Sequence, residues 1–399
     1  MSLFLITLGL LTLLQIGHLH LLRRQVPERW HARMAGALLA VHLPLAVYFL
    51  LRLTGFSHLG LMEILRPLAR GAFYFQALTL LHMTLAGTVL LYWNWRHPKA
   101  HVMSPSRRAF LRGAALGSAG VAVVSSSAGA LQAYGPPDTP IVELPFEDLP
   151  EALDGLRIAH LSDLHVGPML PASVLTLWRQ ALREMKPDLI LYTGDFVDSR
   201  PEELAPFYGL FRDATCPLGS FAILGNHDYF QDPRPIWQGL TAMGIQPLEN
   251  THAVIEHQGA RLALVGLQDP MALNGRFQGE RFGPGPDPFA ASRDIPRDAF
   301  RICLNHRPSE WHAAVAAGAR LTLSGHTHGG QINLIPGLNS ARILGPYTNG
   351  LYQEAGRTLF ITRGLGVVGL PMRINAPPEL PLLVLRKQGF RPGDRLLKG

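Results

Sequence analysis

Charge and cysteine are both scarce in this sequence of 399 residues. Charged residues make up 16% of it while 47% is apolar, and soluble domains usually carry roughly 25% charge. With two cysteines, Cys216 and Cys303, there is no disulfide framework and no thiolate set for a structural zinc centre. Acidic residues are almost missing from the first third. Residues 1–133 hold 12 Lys+Arg against Glu28 and Glu63 alone, which leaves 24 basic and 27 acidic residues in 134–399. The formal net charge of +7 is therefore N-terminal in origin, and the remainder of the chain is mildly acidic at −3. A nucleic-acid-binding fold would spread basic residues over its folded part, so no nucleic-acid partner is expected. The length excludes a small stapled scaffold and allows a large core.

The apolar residues of the first third are concentrated in runs. Residues 1–22, 34–51 and 72–95 contain no Lys, Arg, Asp or Glu, and each is of a length that can cross a bilayer as a helix. The third run ends in Tyr92, Trp93 and Trp95, as an interfacial aromatic belt does. Three transmembrane helices are expected over 1–105. The connection after the first run carries Arg23, Arg24, Arg29 and Arg33, and the segment after the third carries Arg96, Lys99, Arg107, Arg108 and Arg112, against Arg52, Arg66 and Arg70 in between. The positive-inside rule then places the N-terminus outside the cytoplasm. Ser106-Arg107-Arg108-Ala109-Phe110-Leu111-Arg112, followed by an uncharged small-residue stretch over 113–131, resembles an internal twin-arginine export signal, with Ala128-Gly129-Ala130 as its cleavage site. The alternative for 106–135 is a fourth transmembrane helix. On either reading, the chain beyond residue 135 lies on the extracytoplasmic side of a bacterial inner membrane.

Pro136-Pro137-Asp138-Thr139-Pro140 reads as a stiff linker, with 136–150 joining the membrane region to a domain over 151–390 and a tail over 391–399. Within that domain short apolar β-rich runs alternate with helical periodicity: strands over 156–161, 189–192, 220–224, 261–267, 300–304 and 320–323, helices over 173–184 and 310–317. Extended runs at 358–362 and 380–385 come next without clear helices between them, which points to an α/β domain with mixed sheets.

Five of these strands end in polar motifs: Asp163-Leu164-His165, Gly194-Asp195, Gly225-Asn226-His227-Asp228, Asn305-His306, and Gly325-His326-Thr327-His328. Loops at the carboxyl ends of strands converge in an α/β sheet, so the five can build one site. Each motif alone is a common turn; five in succession supply carboxylate, imidazole and amide donors that suit divalent zinc, iron or manganese.

The ordered set resembles the signature of the calcineurin-like metallophosphoesterase superfamily. The flanking Ser162, Gly329-Gly330-Gln331 and Arg363-Gly364-Leu365-Gly366 resemble in particular its membrane-anchored bacterial YkuE/YaeI-like branch. The resemblance implies a four-layer αββα sandwich, here preceded by the all-α transmembrane region. It implies two divalent metal ions, one held by Asp163, His165 and His328, the other by Asn226, His306 and His326, with Asp195 bridging. His227 would be the catalytic residue facing the phosphoryl group, its imidazole fixed by Asp228. Two such ions lower the pKa of a shared water, whose hydroxide form attacks phosphorus, and neutralise phosphoryl oxygens.

His160 reads as a buried strand histidine, and Arg307, Arg363 and Arg373 as structural arginines or as contacts to a second phosphate. The expected activity is a dinuclear-metal-dependent phosphodiesterase or pyrophosphatase on a membrane-associated phosphorylated small molecule or lipid. Alternatives are a phosphomonoesterase on soluble substrates and a membrane sensor or assembly factor that only binds metal.

Overall fold

A computed structural model of the chain describes residues 127–388 apart from 278 and 334–336, together with scattered positions upstream. The chain divides into two compact units, Met1–Leu131 with Gly369–Met372, and Gln132–Val368 with Arg373–Gly399. In the first unit, scattered described positions including Tyr48, Thr88, Tyr92 and Trp95 are helical. The expected spans over 1–22, 34–51 and 72–95 and the basic motif at 106–112 otherwise fall outside the described residues. Among the described residues, no helix is long and apolar enough to cross a membrane. Ala128-Gly129-Ala130, read as a cleavage site, is helical and continuous with the helical residues up to Tyr134.

The second unit contains two six-stranded sheets. The first is built from β1 (Ile141–Phe146), β2 (Arg157–Leu161), β3 (Leu189–Thr193), β4 (Ser220–Ile223), β5 (Ile245–Pro247) and a late strand, Leu382–Lys387. The second takes β6 (Thr251–His257) and β7 (Ala260–Gly266), then, beyond the short hairpin β8 (Arg276–Phe277) and β9 (Glu280–Arg281), β10 (Phe300–Leu304), β11 (Leu321–Ser324), β12 (Gly350–Glu354) and β13 (Arg357–Ile361). Leu382–Lys387 is β14, and it sits second in the order β1-β14-β2-β3-β4-β5; the other sheet runs β12-β13-β11-β10-β7-β6. In the first sheet β2 to β5 are parallel and β14 runs against β2. In the second, β7, β10, β11 and β13 are parallel, with β6 and β12 antiparallel at the edges.

The strands owe their apolar runs to burial on both faces. Leu189 and Leu191 of β3 pack with Leu262, Leu264, Ile302, Leu304, Leu321 and Leu323 of the second sheet, forming the layer between the sheets. Ile190 and Tyr192 point the other way, to a cluster with Val174, Leu175, Trp178 and Leu182 of the helix Ala172–Met185, Phe207 and Phe211 of Ala205–Phe211, and Ile236 and Leu240 of Arg234–Ala242. On the far side of the second sheet, Ala263, Val265 and Cys303 pack with Ala291, Ile295 and Ala314. The expected order of helix, sheet, sheet, helix results from this alternation.

The stretch 136–150 is a correction to the expected linker. Ile141–Phe146 pairs in parallel with β14 along its whole length, and Leu144 and Phe146 join the inter-sheet layer. Pro145 is tolerated because β1 is an edge strand, where no ladder partner needs its missing N–H. Upstream, Asp138 bridges to Glu379.

Candidate metal centre

All five polar motifs lie just past the carboxyl ends of parallel strands: Asp163 and His165 after β2, Asp195 after β3, Asn226 and His227 after β4, His306 after β10, and His326 and His328 after β11. The first three strands belong to one sheet and the last two to the other, so the site straddles the seam between sheets. Backbone hydrogen bonds tie the loops together: Asp163 N donates to Gly194 O (2.9 Å), His165 N to Asp195 O (3.0 Å) and Gly325 N to His306 O (3.1 Å). His326 N donates to both Asp163 oxygens at 3.0 and 3.1 Å.

Five of the seven expected ligands have left-handed backbones, with φ of 53° at Asp163, 44° at His165, 54° at Asp195, 70° at His326 and 51° at His328. For a residue other than glycine this conformation costs about 1–2 kcal/mol, and its concentration at one place is what a built site stores. Glycine appears where space forbids any Cβ. A Cβ on Gly225 would meet the Asp195 carboxylate and stand 2.7 Å from His306 Cε1, and one on Gly325 would collide with Asp163 and Ser162.

The side chains converge in two sets joined by one carboxylate. In the first, His165 Nε2 lies 3.1 Å from His328 Nε2, and Asp163 Oδ1 is 3.5 Å from His328 Nε2. In the second, His306 Nε2 lies 3.1 Å from Asn226 Oδ1 and 3.3 Å from His326 Nδ1. Asp195 Oδ2 is 3.5 Å from His165 Nε2 and 3.3 Å from His306 Nε2, and so touches both sets. A tetrahedron of bonds about 2.05 Å long has edges of about 3.3 Å. These donor separations therefore fit divalent cations, and the donors, imidazole nitrogen with carboxylate and amide oxygen, are of the matching chemistry.

Electrostatics agree with that fit. Burial decides four of these groups: it pushes Asp163 up to about 6 and drives His165 and His328 well below the ordinary histidine range, and His326 down to about 3. The last three are thus neutral imidazoles with lone pairs to offer. Burial also opposes ionisation of Asp195, yet His306, His227 and His165 together hold its carboxyl well below the usual range. Burial likewise works against charge on His306, and Asp195 and Asp163 overcome it, raising this imidazole to about 10. In the metal-free protein a proton on His306 thus balances the carboxylates, in the place where a cation would do so.

His227 is half-buried at the edge of the cluster. Its Nδ1 donates to the Asp198 carbonyl at 2.6 Å, its backbone N donates to Asp195 Oδ1 at 2.8 Å, and its ring stands edge-on to His165 with centroids 4.6 Å apart. The expectation that Asp228 fixes this imidazole is corrected. The Asp228 carboxylate, buried, accepts from Gly225 N (2.9 Å) and Val197 N (3.1 Å) and so braces the β4 loop against the β3 loop, while the His227 ring is held by the Asp198 carbonyl.

Each of the three arginines has protein partners. Arg307 makes a two-pronged pair with Asp269 at 2.7 and 3.1 Å, and Arg363 pairs with Asp138 (2.8 Å) and Glu379 (3.3 Å). Arg373 is fully buried, donating to the carbonyls of Gly366, Ala376, Arg363 and Gly364, with Nη2 3.3 Å from His328 Nδ1. Its hydrogens are taken by the closer carbonyls, so the guanidinium acts as a wall that positions the His328 ring. His160 is a buried strand histidine as expected, with Nε2 2.9 Å from Thr193 Oγ1. Two contributors carried no sequence signal: the Asp198 carbonyl, and the Thr193 carbonyl, which accepts from His306 Nδ1 at 2.7 Å.

The fold and the site define an α/β protein of two mixed sheets with donors suited to divalent metal at their carboxyl ends, and comparison with known proteins names the family. Residues 156–330 match the family model described as calcineurin-like phosphoesterase. The chain is 30% identical over 251 residues to the uncharacterized metallophosphoesterase YkuE of Bacillus subtilis, a match covering 60% of this chain and 82% of that protein. It belongs to the calcineurin-like metallophosphoesterase family. It is also 35% identical over 269 residues to a Danio rerio transmembrane protein with metallophosphoesterase domain, covering 65% of this chain and 60% of the relative. The UDP-2,3-diacylglucosamine pyrophosphatase LpxG of Chlamydia trachomatis is 28% identical over 280 residues, covering 58% of this chain and 84% of the relative. The chain thus spans about three fifths of the transmembrane relatives it matches.

Proposed function

We propose that this protein is a dinuclear-metal-dependent phosphodiesterase or pyrophosphatase that acts on a membrane-associated phosphorylated compound. The observation that carries the reading is the position of Asp195 Oδ2, within 3.5 Å of His165 Nε2 and 3.3 Å of His306 Nε2, which joins the two donor sets. Asp163, His165 and His328 would hold one ion and Asn226, His306 and His326 the other, with Asp195 shared. Bound there, the ions supply water activation and charge neutralisation at the phosphoryl group.

Hydrolysis transfers an oxygen of water to phosphorus, breaks the bond to the leaving oxygen and returns a proton to that oxygen. His227 is suited to the last task. Its Nδ1–H is committed to the Asp198 carbonyl, so Nε2 is the nitrogen free to hold and deliver the proton. The choice of a lipid-linked pyrophosphate among substrates is supported by the LpxG relative and by the apolar, basic-flanked N-terminal third. That third we read as three spans followed by a twin-arginine-like segment or fourth span, with the metal centre on the extracytoplasmic side.

The test uses the full chain in detergent, stripped of metal and reloaded separately with manganese, iron or zinc. A chromogenic phosphodiester, its monoester and a membrane lipid extract are supplied, with products identified by mass spectrometry. Diester or pyrophosphate cleavage that depends on added metal is expected. Hydrolysis that survives complete metal removal, or cleavage of the monoester alone, overturns the reading. For the topology, a reporter active only outside the cytoplasm, fused after Gly399, is expected to be active; silence despite good expression rejects the orientation.

A further inference from the structure

The rim of the metal centre carries an apolar surface that the hydrolytic chemistry does not use. After His328 the chain runs through a segment anchored on the site's own loop: Asn333 Nδ2 donates to Gly329 O (2.9 Å), Ser340 N to Asn333 Oδ1 (2.9 Å), Ser340 Oγ to Gly330 O, and Thr327 Oγ1 to Thr348 O. The tip of this segment leaves Leu338, Ile343 and Leu344 exposed by 56%, 90% and 60%, with exposed Arg342 among them. Three aliphatic side chains this exposed within seven residues of one another in sequence are the raw material of an interaction surface.

The chain enters the folded unit at the same rim. Tyr134 Oη donates to Met169 O (2.6 Å), in the loop that carries His165, and Asp138 pairs with Arg363 at 2.8 Å. Arg363 in turn packs on Gly329, where an added Cβ would stand 2.7 Å from its Cγ. Entry point, metal centre and apolar tip are therefore linked through Arg363 and the His326–Gly330 loop. The sequence that reaches this entry point is the charge-poor apolar third.

We propose that the 338–344 tip is a membrane-interface element. Leu338, Ile343 and Leu344 enter the headgroup region of an anionic bilayer and Arg342 pairs with lipid phosphates, so that the metal centre opens towards the membrane and takes phosphorylated lipid directly from it. Three aliphatic side chains and one arginine are a modest anchor on their own, since an arginine near an anionic surface contributes about 1 kcal/mol. A chain already held at the bilayer requires no more than orientation from them. The inference rests on the membrane-anchored phosphoesterase reading above and specifies its substrate access.

The deciding measurement is one of depth. The full chain with Ile343→Cys, labelled with an environment-sensitive NBD dye, is placed in nanodiscs of phosphatidylcholine and phosphatidylglycerol in equal parts, with and without doxyl-labelled lipid. The control is Glu151→Cys, at an exposed position beside the opposite end of β14. Blank labelling of the native cysteines is measured on the unsubstituted chain. Blue-shifted emission and quenching at least about threefold stronger at 343 than at 151 are expected. Equal quenching at the two positions overturns the proposal.

A second arm reads turnover. The Ile343→Ser, Leu344→Ser double variant is expected to hydrolyse a soluble chromogenic diester as the unsubstituted chain does, while its turnover of a lipid pyrophosphate embedded in nanodiscs falls about tenfold. Unchanged turnover of both substrates overturns the proposal. An unsubstituted, metal-loaded chain that cleaves neither substrate overturns the enzymatic reading instead, and the depth measurement still decides the placement of the tip.

Discussion

Asp195 and His306 come from different sheets and are separated by more than a hundred residues, yet the Asp195 carboxylate lies 3.3 Å from His306 Nε2. The contact is made across the seam between the ends of β3 and β10. It fixes the protonation of both partners, an ionised carboxyl and a histidine raised to about 10 despite burial. The same carboxylate reaches His165 on its other side, so one side chain sets the separation of the two donor sets.

Asp195→Ala is expected to lower bound metal at both positions and to reduce hydrolysis by at least about a hundredfold, because on the proposed reading this carboxylate would serve both ions. Metal content by mass spectrometry and circular dichroism of the same sample separate loss of the centre from loss of fold. Wild-type turnover in a well-folded Asp195→Ala protein contradicts the mechanism.

His227→Ala is expected to keep metal content and to lower kcat by about 10²- to 10⁴-fold for an alkyl leaving group. With a nitrophenol leaving group the loss shrinks, since a weakly basic oxygen departs without a proton. Equal losses for the two leaving groups would place His227 in substrate binding.

The metal-free protein is expected to lose stability as pH falls below about 6.5. Burial depresses His160 to about 3, so the unfolded chain binds a proton there that the folded chain does not. The stability linked to this group is fully present above its unfolded pKa of about 6.5 and is lost progressively as pH falls towards the folded value. His160→Gln removes up to one proton from the pH dependence, about 1.4 kcal/mol per pH unit. Urea midpoints between pH 5 and 7 give the slope, as approximate settings for that window. An unchanged slope argues that His160 charges inside the fold.

Lys186 closes the helix Ala172–Met185 with φ 46° and ψ 60°, the left-handed C-terminal position that glycine favours. Lys186→Gly is expected to stabilise the fold by roughly 0.5–1 kcal/mol through relief of that strain. Chemical denaturation of the metal-free chain measures it, and a destabilised variant would mean that the lysine stem contributes packing the backbone angle does not reveal.

The strand-end motifs were legible in the sequence because each pairs a β-rich run with donors that have no other reason to recur. Asp163, His165, Asp195, Asn226, His306, His326 and His328 do meet at one place. β1 was hidden because Pro145 falls inside Ile141–Phe146 and argues against a strand, although Val142, Leu144 and Phe146 keep the period-2 inward face. The support of His227 was misread for a different reason: the partner is the Asp198 main-chain carbonyl, and every residue has one. Arg373 stands out in sequence only as a structural arginine or a phosphate contact; that it faces five carbonyls beside the His328 ring is not readable there.

The left-handed backbones at Asp163, His165, Asp195, His326 and His328 bear on how this protein can fail. A change to glycine at any of them removes a donor and relieves strain together, so part of the destabilisation is returned by the backbone itself. Inactive descendants with such changes can remain folded and abundant. For this chain, then, expression level is a poor proxy for activity, and selection on function is what keeps the centre intact.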